Sequence, residues 1–219
     1  MKIAEIRPHL WRWTALHPDW TPEEGGPTGW DQEVASFALV QDDSLMLFDP
    51  LVPSDEEERF WRHLDADVEH HGPPQILLTV YWHARSAPAV LDRYEGTRIW
   101  TVEAGAVSAR ERVAVTDTFS AGDALPGGVE ARATGEAEEA AFWISSHGAL
   151  VFGDALLGTP TGGLGVPDTW LGEGVTPEMA REALRPLLSL PVELVLVTHG
   201  EPVLEDGETA LENALDLRS

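Results

Sequence analysis

The sequence predicts a layered α/β domain, and three observations carry that prediction. Short apolar runs such as 76–80, 149–152 and 192–197 have the length of buried strands, and each ends abruptly in polar residues. Several are followed by helix-start chemistry, most clearly Ser86 with Pro88 two residues on, and Thr176-Pro177-Glu178. A chain of 219 residues at 43% hydrophobic content can bury one substantial core, as one domain or as two intimately packed halves.

Composition removes several function classes. There is no cysteine, which excludes disulfides, thiolate metal sites and cysteine nucleophiles. The first residues, Met1 to Ile6, form no apolar leader, and no run approaches the ~18 residues of a membrane span, so a cytoplasmic protein is expected. The net charge of −24 repels polyanions, which disfavours nucleic acid and anionic membranes as partners. An unknown small molecule is the expected partner, and a homodimer is left open.

Taken in order, residues 3–14 read as one or two strands, with Leu10, Trp11 and Trp13 partly alternating. A Pro/Gly-rich loop follows to about Glu33; it contains Trp20, Gly25-Gly26-Pro27 and Trp30, and its length suits either a flap over a pocket or a segment folded back on the core. Two strands, 34–40 and 45–48, are joined by the turn Gln41-Asp42-Asp43-Ser44. Ser54 and Glu57 form a capping-box pattern that predicts a helix through about Ala66, with His63 at its surface and His70-His71 in the turn before Gly72. The strand at 76–80 leads through Tyr81-Trp82-His83-Ala84-Arg85 into a helix that Ser86 caps and that ends near Tyr94. Further strands are expected at 98–102, 113–115, 128–133, 140–145 and 149–152, with His147-Gly148 as a hairpin tip. The glycine-rich stretch 158–174 lacks the Gly-Lys-Ser/Thr ending of a phosphate cradle. A helix to about Leu188, a strand at 192–197 and a last helix, 208–215, complete the chain.

Four strand ends therefore carry unusual polar residues: Asp49, the 80–86 loop, Asp154 and His199. Ends of this kind converge on one crevice in layered α/β architectures. An aspartate and a histidine brought together there could be metal ligands, an acid/base pair or a structural ion pair, and residue types alone do not separate these.

The pattern resembles the metallo-β-lactamase superfamily over nearly the whole chain. The likeness rests on Leu47-Phe48-Asp49-Pro50, Leu77-Leu78-Thr79, Ala149-Leu150-Val151-Phe152-Gly153-Asp154 and Val197-Thr198-His199-Gly200. It implies an αββα sandwich in one domain, 1–219, with similar halves at about 1–110 and 111–219, and a site at the sheet edges that usually holds one or two zinc or iron ions. The departure comes at the loop after Leu-Thr. The family's His-x-His-x-Asp-His falls on Val80, Tyr81, Trp82, His83, Ala84 and Arg85, so both first-metal histidines and both second-metal ligands of that motif are replaced. The next family histidine falls near Gly135-Glu136 and is also absent. Asp154 and His199 remain, with Asp49 as a support of the loop.

Two conventional ligands are too few for a catalytic zinc site, which commonly uses three. No cofactor is therefore expected; zinc or iron would need an atypical site drawn from Asp154, His199, His83 and Glu136. Arg85 stands where a second-metal ligand would, and the sequence suggests that it pairs with Asp154, together with His199, in place of a metal. The leading expectation is a binding or interaction protein of this fold that has lost hydrolysis, with Asp49, Val80, Tyr81, Trp82, His83, Ala84, Arg85 and Glu136 marking the former site. Trp20, Trp30 and Trp170 add aromatic walls to it. The alternative is a hydrolase of esters, lactones or thioesters with Asp154 and His199 as its catalytic residues. A serine hydrolase is disfavoured because no Gly-x-Ser-x-Gly elbow is present.

Overall fold

The computed structural model describes residues 3–26 and 29–216, so Pro27 of the long loop lies outside the described residues. A seven-stranded sheet takes its strands in chain order: β1 (Ile3–Arg7), β2 (Leu10–Leu16), β3 (Glu33–Gln41), β4 (Ser44–Phe48), β5 (Gln75–Leu77), β6 (Arg98–Val102) and β7 (Asp117–Phe119). The first four are antiparallel, and β4 to β7 run parallel through helical crossovers. The crossovers contain α1 (Glu57–His71), α2 (Ala87–Arg93) and α3 (Ala106–Arg110). A five-stranded sheet follows, built from β8 (Ala124–Leu125), β9 (Val129–Ala133), β10 (Ala140–Ile144), β11 (Ala149–Phe152) and, after the small hairpin β12 (Leu157–Gly158) and β13 (Leu164–Gly165), from β14 (Leu194–Val197). β14 runs parallel to β11 at the sheet's edge, and α4 (Pro177–Leu184) and α5 (Gly207–Leu215) belong to the same half.

Side-chain alternation explains why the strands read as continuous apolar runs. In β4, Met46 and Phe48 enter the core between the sheets, while Leu45 and Leu47 face outward beneath Phe60 and Leu64 of α1 and Val90 of α2. In β10 and β11, Phe142, Ile144 and Val151 meet the first sheet, while Trp143, Leu150 and Phe152 lie under Leu184 of α4 and Leu211 of α5. Both faces of each central strand are covered, so no face needs polar residues. The result is the four-layer αββα sandwich.

Several boundaries differ from the sequence expectation. Ser54 caps nothing: residues 53–56 first form a turn, with the Glu56 N–H donating to the Pro53 carbonyl, and α1 starts at Glu57. That helix then continues to His71, so His70 and His71 lie in its last turn, and Gly72 at φ +79° ends it. Ser86 does not cap α2 with its side chain; its hydroxyl accepts from the Val52 N–H and ties the loop after Asp49 to the loop after β5. The strand expected at 113–115 is absent, and β7 falls at 117–119, where it can pair with β6. Strand β5 is shorter than its apolar run. After Leu77 the chain leaves the ladder and reaches the second sheet: the Ala140 N–H donates to the Thr79 carbonyl, and Val80 bridges Glu139. This departure joins the two halves and carries Thr79 to His83 into the space between their ends.

Candidate metal centre

The site is built where β4, β5, β11 and β14 finish. Asp49 follows β4 and is fully buried, and its carboxylate is held from one side by Thr79, whose N–H donates to Oδ1 at 2.9 Å and whose hydroxyl donates to Oδ2. A single turn of 3₁₀ helix, Tyr81–Ala84, then swings His83 back over this pair. His83 Nδ1 lies 2.9 Å from Asp49 Oδ2 and 3.1 Å from the Thr79 hydroxyl, so the imidazole is fixed by groups behind it and its Nε2 faces forward. Asp154 after β11 and His199 after β14 reach the same point. His83 Nε2 and His199 Nε2 each lie 3.3 Å from Asp154 Oδ1. The other oxygen of Asp154 is taken by the Trp82 indole N–H at 2.8 Å.

Electrostatics around the cluster are severe. Burial and Arg85 work against the charged form of His83, yet Asp154 and Asp49 overcome both and push its pKa up to about 9. Burial pulls His199 the other way, below its ordinary value, against the raising effect of Asp154. Glu139 is pushed up to about 8, by burial first and by the Asp154 charge second. Its Oε1 accepts the backbone N–H groups of Asp154 and Ala155, both at 2.8 Å, which pins the loop that presents Asp154. Despite its burial, Asp154 is held well below the usual carboxylate range by His83 and His199.

Arg85 does not pair with Asp154 as the sequence suggested; His83 and His199 do. The Arg85 backbone adopts φ +38°, and its guanidinium turns to the Ala35 and Asp49 carbonyls at 3.2 and 3.3 Å. It braces β3 against the loop after β4, and its charge acts on the cluster only through space. Glu136 is not part of the cluster either: it lies outside the site cavity, and its Oε1 accepts the Gly172 N–H at 3.3 Å. Val80 is wholly buried, Ala84 reaches the cavity wall, and Tyr81 stands behind Trp82 with ring centroids 4.7 Å apart.

In front of the cluster lies a cavity of about 640 Å³. Trp82, Trp30 and Trp170 supply its aromatic walls, and the last two sit edge-on to His199 at 5.5 and 5.3 Å. Trp20 is one step removed: its indole N–H donates to the Trp30 carbonyl and holds that loop in place. The wall also includes His17, Asp19 and Arg112, none of which carried a signal in the sequence. Glu139 was equally silent, and Thr79 stood out only as the end of the Leu-Thr strand, with no role in the site. Glu139 could have been suspected from its place three residues beyond Glu136, in a loop where the family keeps a ligand.

The donor set can be tested against a metal. Among the described residues Asp154 Oδ1 is buried and has no donor in hydrogen-bond geometry, although two imidazole nitrogens flank it at 3.3 Å. Its two imidazole neighbours offset the cost of burying this oxygen, but it keeps lone-pair capacity that a cation between them would use. Three ligand atoms, one each from His83, Asp154 and His199, lie within 4.8 Å of one another. Ligand atoms about 2.0–2.1 Å from a tetrahedral zinc ion stand about 3.3–3.4 Å apart, which matches both nitrogen–oxygen separations. The carboxylate behind His83 is the usual support for a ligating histidine. These residues fit a single ion.

No protein-family model matches the chain, and no curated protein matches it. Solved structures do. A metallo-β-lactamase from Pontibacter korlensis superposes with a TM-score of 0.69 at 13% identity, over 99% of this chain and 99% of that one. FIM-1 from Pseudomonas aeruginosa, a metallo-β-lactamase solved in its mono-zinc form, gives 0.71 at 10% identity, over 98% of this chain and 92% of that one. A metallo-β-lactamase family protein from Thermus thermophilus gives 0.64 at 18% identity, over 95% and 79%. With its two facing sheets, its outer helices and a polar cluster at the strand ends, this chain has the metallo-β-lactamase fold.

Proposed function

We propose that this protein is a mononuclear metal-dependent hydrolase acting on an ester, lactone or thioester of a small molecule. The observation that carries the reading is Asp154 Oδ1, buried, with no donor in hydrogen-bond geometry among the described residues, and flanked at equal distance by two imidazole Nε2 atoms. His83, Asp154 and His199 would hold the ion, a set of three protein ligands that leaves a position open. Zinc or iron(II), when bound, supplies a Lewis acid that makes water a nucleophile at neutral pH.

The chain's own residues do the rest. Asp49 and Thr79 fix the His83 ring and require its Nδ1 to carry the proton, which leaves Nε2 as a donor of its lone pair. The Trp82 N–H occupies Asp154 Oδ2 and leaves Oδ1 as the inward-facing oxygen. Arg85 contributes a fixed positive charge close to the reaction space. Trp30 and Trp170 pack edge-on against His199 and place apolar surface beside the proposed ligand.

The test combines metal analysis with an ester, lactone and thioester panel. About one equivalent of zinc or iron, and turnover lost on chelation and in His83→Ala, Asp154→Ala and His199→Ala, support the reading. A folded protein without metal that turns over nothing favours the second reading, a non-hydrolytic binding protein. One feature speaks for that reading: His83 lies between two carboxylates, so an imidazolium with Arg85 balances Asp49 and Asp154 without a metal.

A further inference from the structure

The cavity wall contains Arg112, which follows α3 and so comes from a different element than any residue of the cluster. Its guanidinium makes no side-chain hydrogen bond and meets no carboxylate among the described residues; it lies 5.7 Å from the Tyr81 ring centroid. Among the described residues Arg62, Arg110 and Arg181 likewise make no ion pair, but none of the three lines this cavity. Elsewhere Arg7, Arg12, Arg93 and Arg132 each have an acidic partner. Arg85, the other arginine of the wall, is engaged by two carbonyls, which leaves Arg112 as the exposed cation at the cavity.

We propose that the cavity's substrate is a small monoanion, whose carboxylate is bound by Arg112 while its apolar body lies against Trp30, Trp82 and Trp170. The inference rests on the cavity being the substrate site of the hydrolase proposed above. With a divalent ion on the cluster, the wall holds that ion and two guanidiniums against Asp19 and Asp154, an excess of positive charge inside a molecule whose surface is strongly negative. A guanidinium whose hydrogen-bond donors have no side-chain partner can take a carboxylate through two parallel hydrogen bonds. The tryptophans supply apolar area without charge. Arg112 is thus a specificity residue at the mouth, and the bond to be cleaved would lie inward of the anionic group.

Three probes of one shape separate the possibilities: phenylacetate, phenylacetamide and 2-phenylethylammonium, with affinities measured by calorimetry on zinc-loaded and on chelator-treated protein. Phenylacetate is expected to bind about tenfold more tightly than the amide in both preparations. The preference should disappear in Arg112→Gln and persist in Arg112→Lys and in Arg110→Gln, a control on the same segment outside the cavity. Equal affinity for acid and amide, preference for the ammonium probe (the result Asp19 would give if it dominated), or no binding of any probe would overturn the proposal. A carboxylate preference that vanishes on chelation but survives Arg112→Gln would assign the anion to the metal; it overturns the role of Arg112 and leaves the metal-dependent reading standing. Failure to bind metal would instead strike the hydrolase reading, while the Arg112 comparison remains decisive in the chelator-treated protein.

Discussion

The replacement Asp49→Asn isolates the support behind the cluster without touching a ligand. Asp49 is fully buried and accepts three contacts: the Thr79 N–H on Oδ1, and the Thr79 hydroxyl and His83 Nδ1 on Oδ2. Asparagine is nearly isosteric. If its oxygen keeps the Thr79 N–H, its NH₂ group faces His83 Nδ1 and turns that nitrogen from donor to acceptor. The proton then moves to Nε2, the atom that faces Asp154, and the lone pair proposed to bind a metal is gone. Loss of such a second-layer partner costs about 10–100-fold in metal affinity, or about 1.4–2.7 kcal/mol. Zinc affinity from competition with a chromophoric chelator measures it, and circular dichroism confirms the fold. Removal of one buried charge also leaves its partner uncompensated, so metal-free Asp49→Asn should be destabilised by about 3 kcal/mol. A folded Asp49→Asn protein with unchanged zinc affinity would refute the claim that Asp49 sets the tautomer of a ligating His83.

Three further outcomes follow from the same geometry. In chelator-treated protein His83 and Glu139 both have folded pKa values raised above their unfolded ones, to about 9 and about 8. Each therefore binds more protons folded than unfolded at neutral pH, and stability must fall between pH 7 and pH 9, read as a falling Tm; a Tm that rises over this range would contradict the assignment. Zinc must displace the His83 proton, so its affinity should increase over the same interval, with proton release detectable in weakly buffered titrations. Gly153→Ala places a Cβ 2.4 Å from the Thr79 hydroxyl, so urea unfolding should show a loss of more than about 2 kcal/mol, and zinc affinity should fall with it.

The fold was legible because its central strands are buried on both faces, and a run such as Ala149 to Phe152 has one reading when a polar loop follows it. Register and exact ends were less legible. Ser54 and Glu57 have cap spacing, but Pro53 closes a turn before the helix starts, and no local rule ranks the turn above the cap. Asp49, Asp154 and His199 could be found because each directly follows an apolar strand. His83 was present in the loop but stood at a position whose family counterpart is no ligand; it enters the site because a 3₁₀ turn, rather than an extended loop, follows Val80. Arg85 illustrates the reverse failure. Its position implied contact with Asp154, whereas the backbone carbonyls of Ala35 and Asp49 take its guanidinium instead. Arg112, Asp19 and His17 come from segments far apart in sequence, and only packing shows that they share a wall.

The stretch from Leu78 to His83 makes the stability of the sandwich and the geometry of the site a single property. Leu78 still donates to the Trp100 carbonyl of the first sheet, and Thr79 already accepts from Ala140 of the second. Thr79 then uses its side chain and N–H to hold Asp49, and its hydroxyl also meets His83. One residue thus closes the gap between the sheets and sets the orientation of a proposed ligand. Thr79→Val keeps the shape and the backbone bonds but removes the hydroxyl from both Asp49 and His83. It should therefore lower stability by about 1–3 kcal/mol through the orphaned Asp49 oxygen. If the hydroxyl also shares the His83 Nδ1 proton, Thr79→Val weakens zinc less than Asp49→Asn does, because Asp49 still specifies the tautomer. A Thr79→Val protein that loses zinc as completely as Asp49→Asn would show that ring position, not proton placement, governs the site.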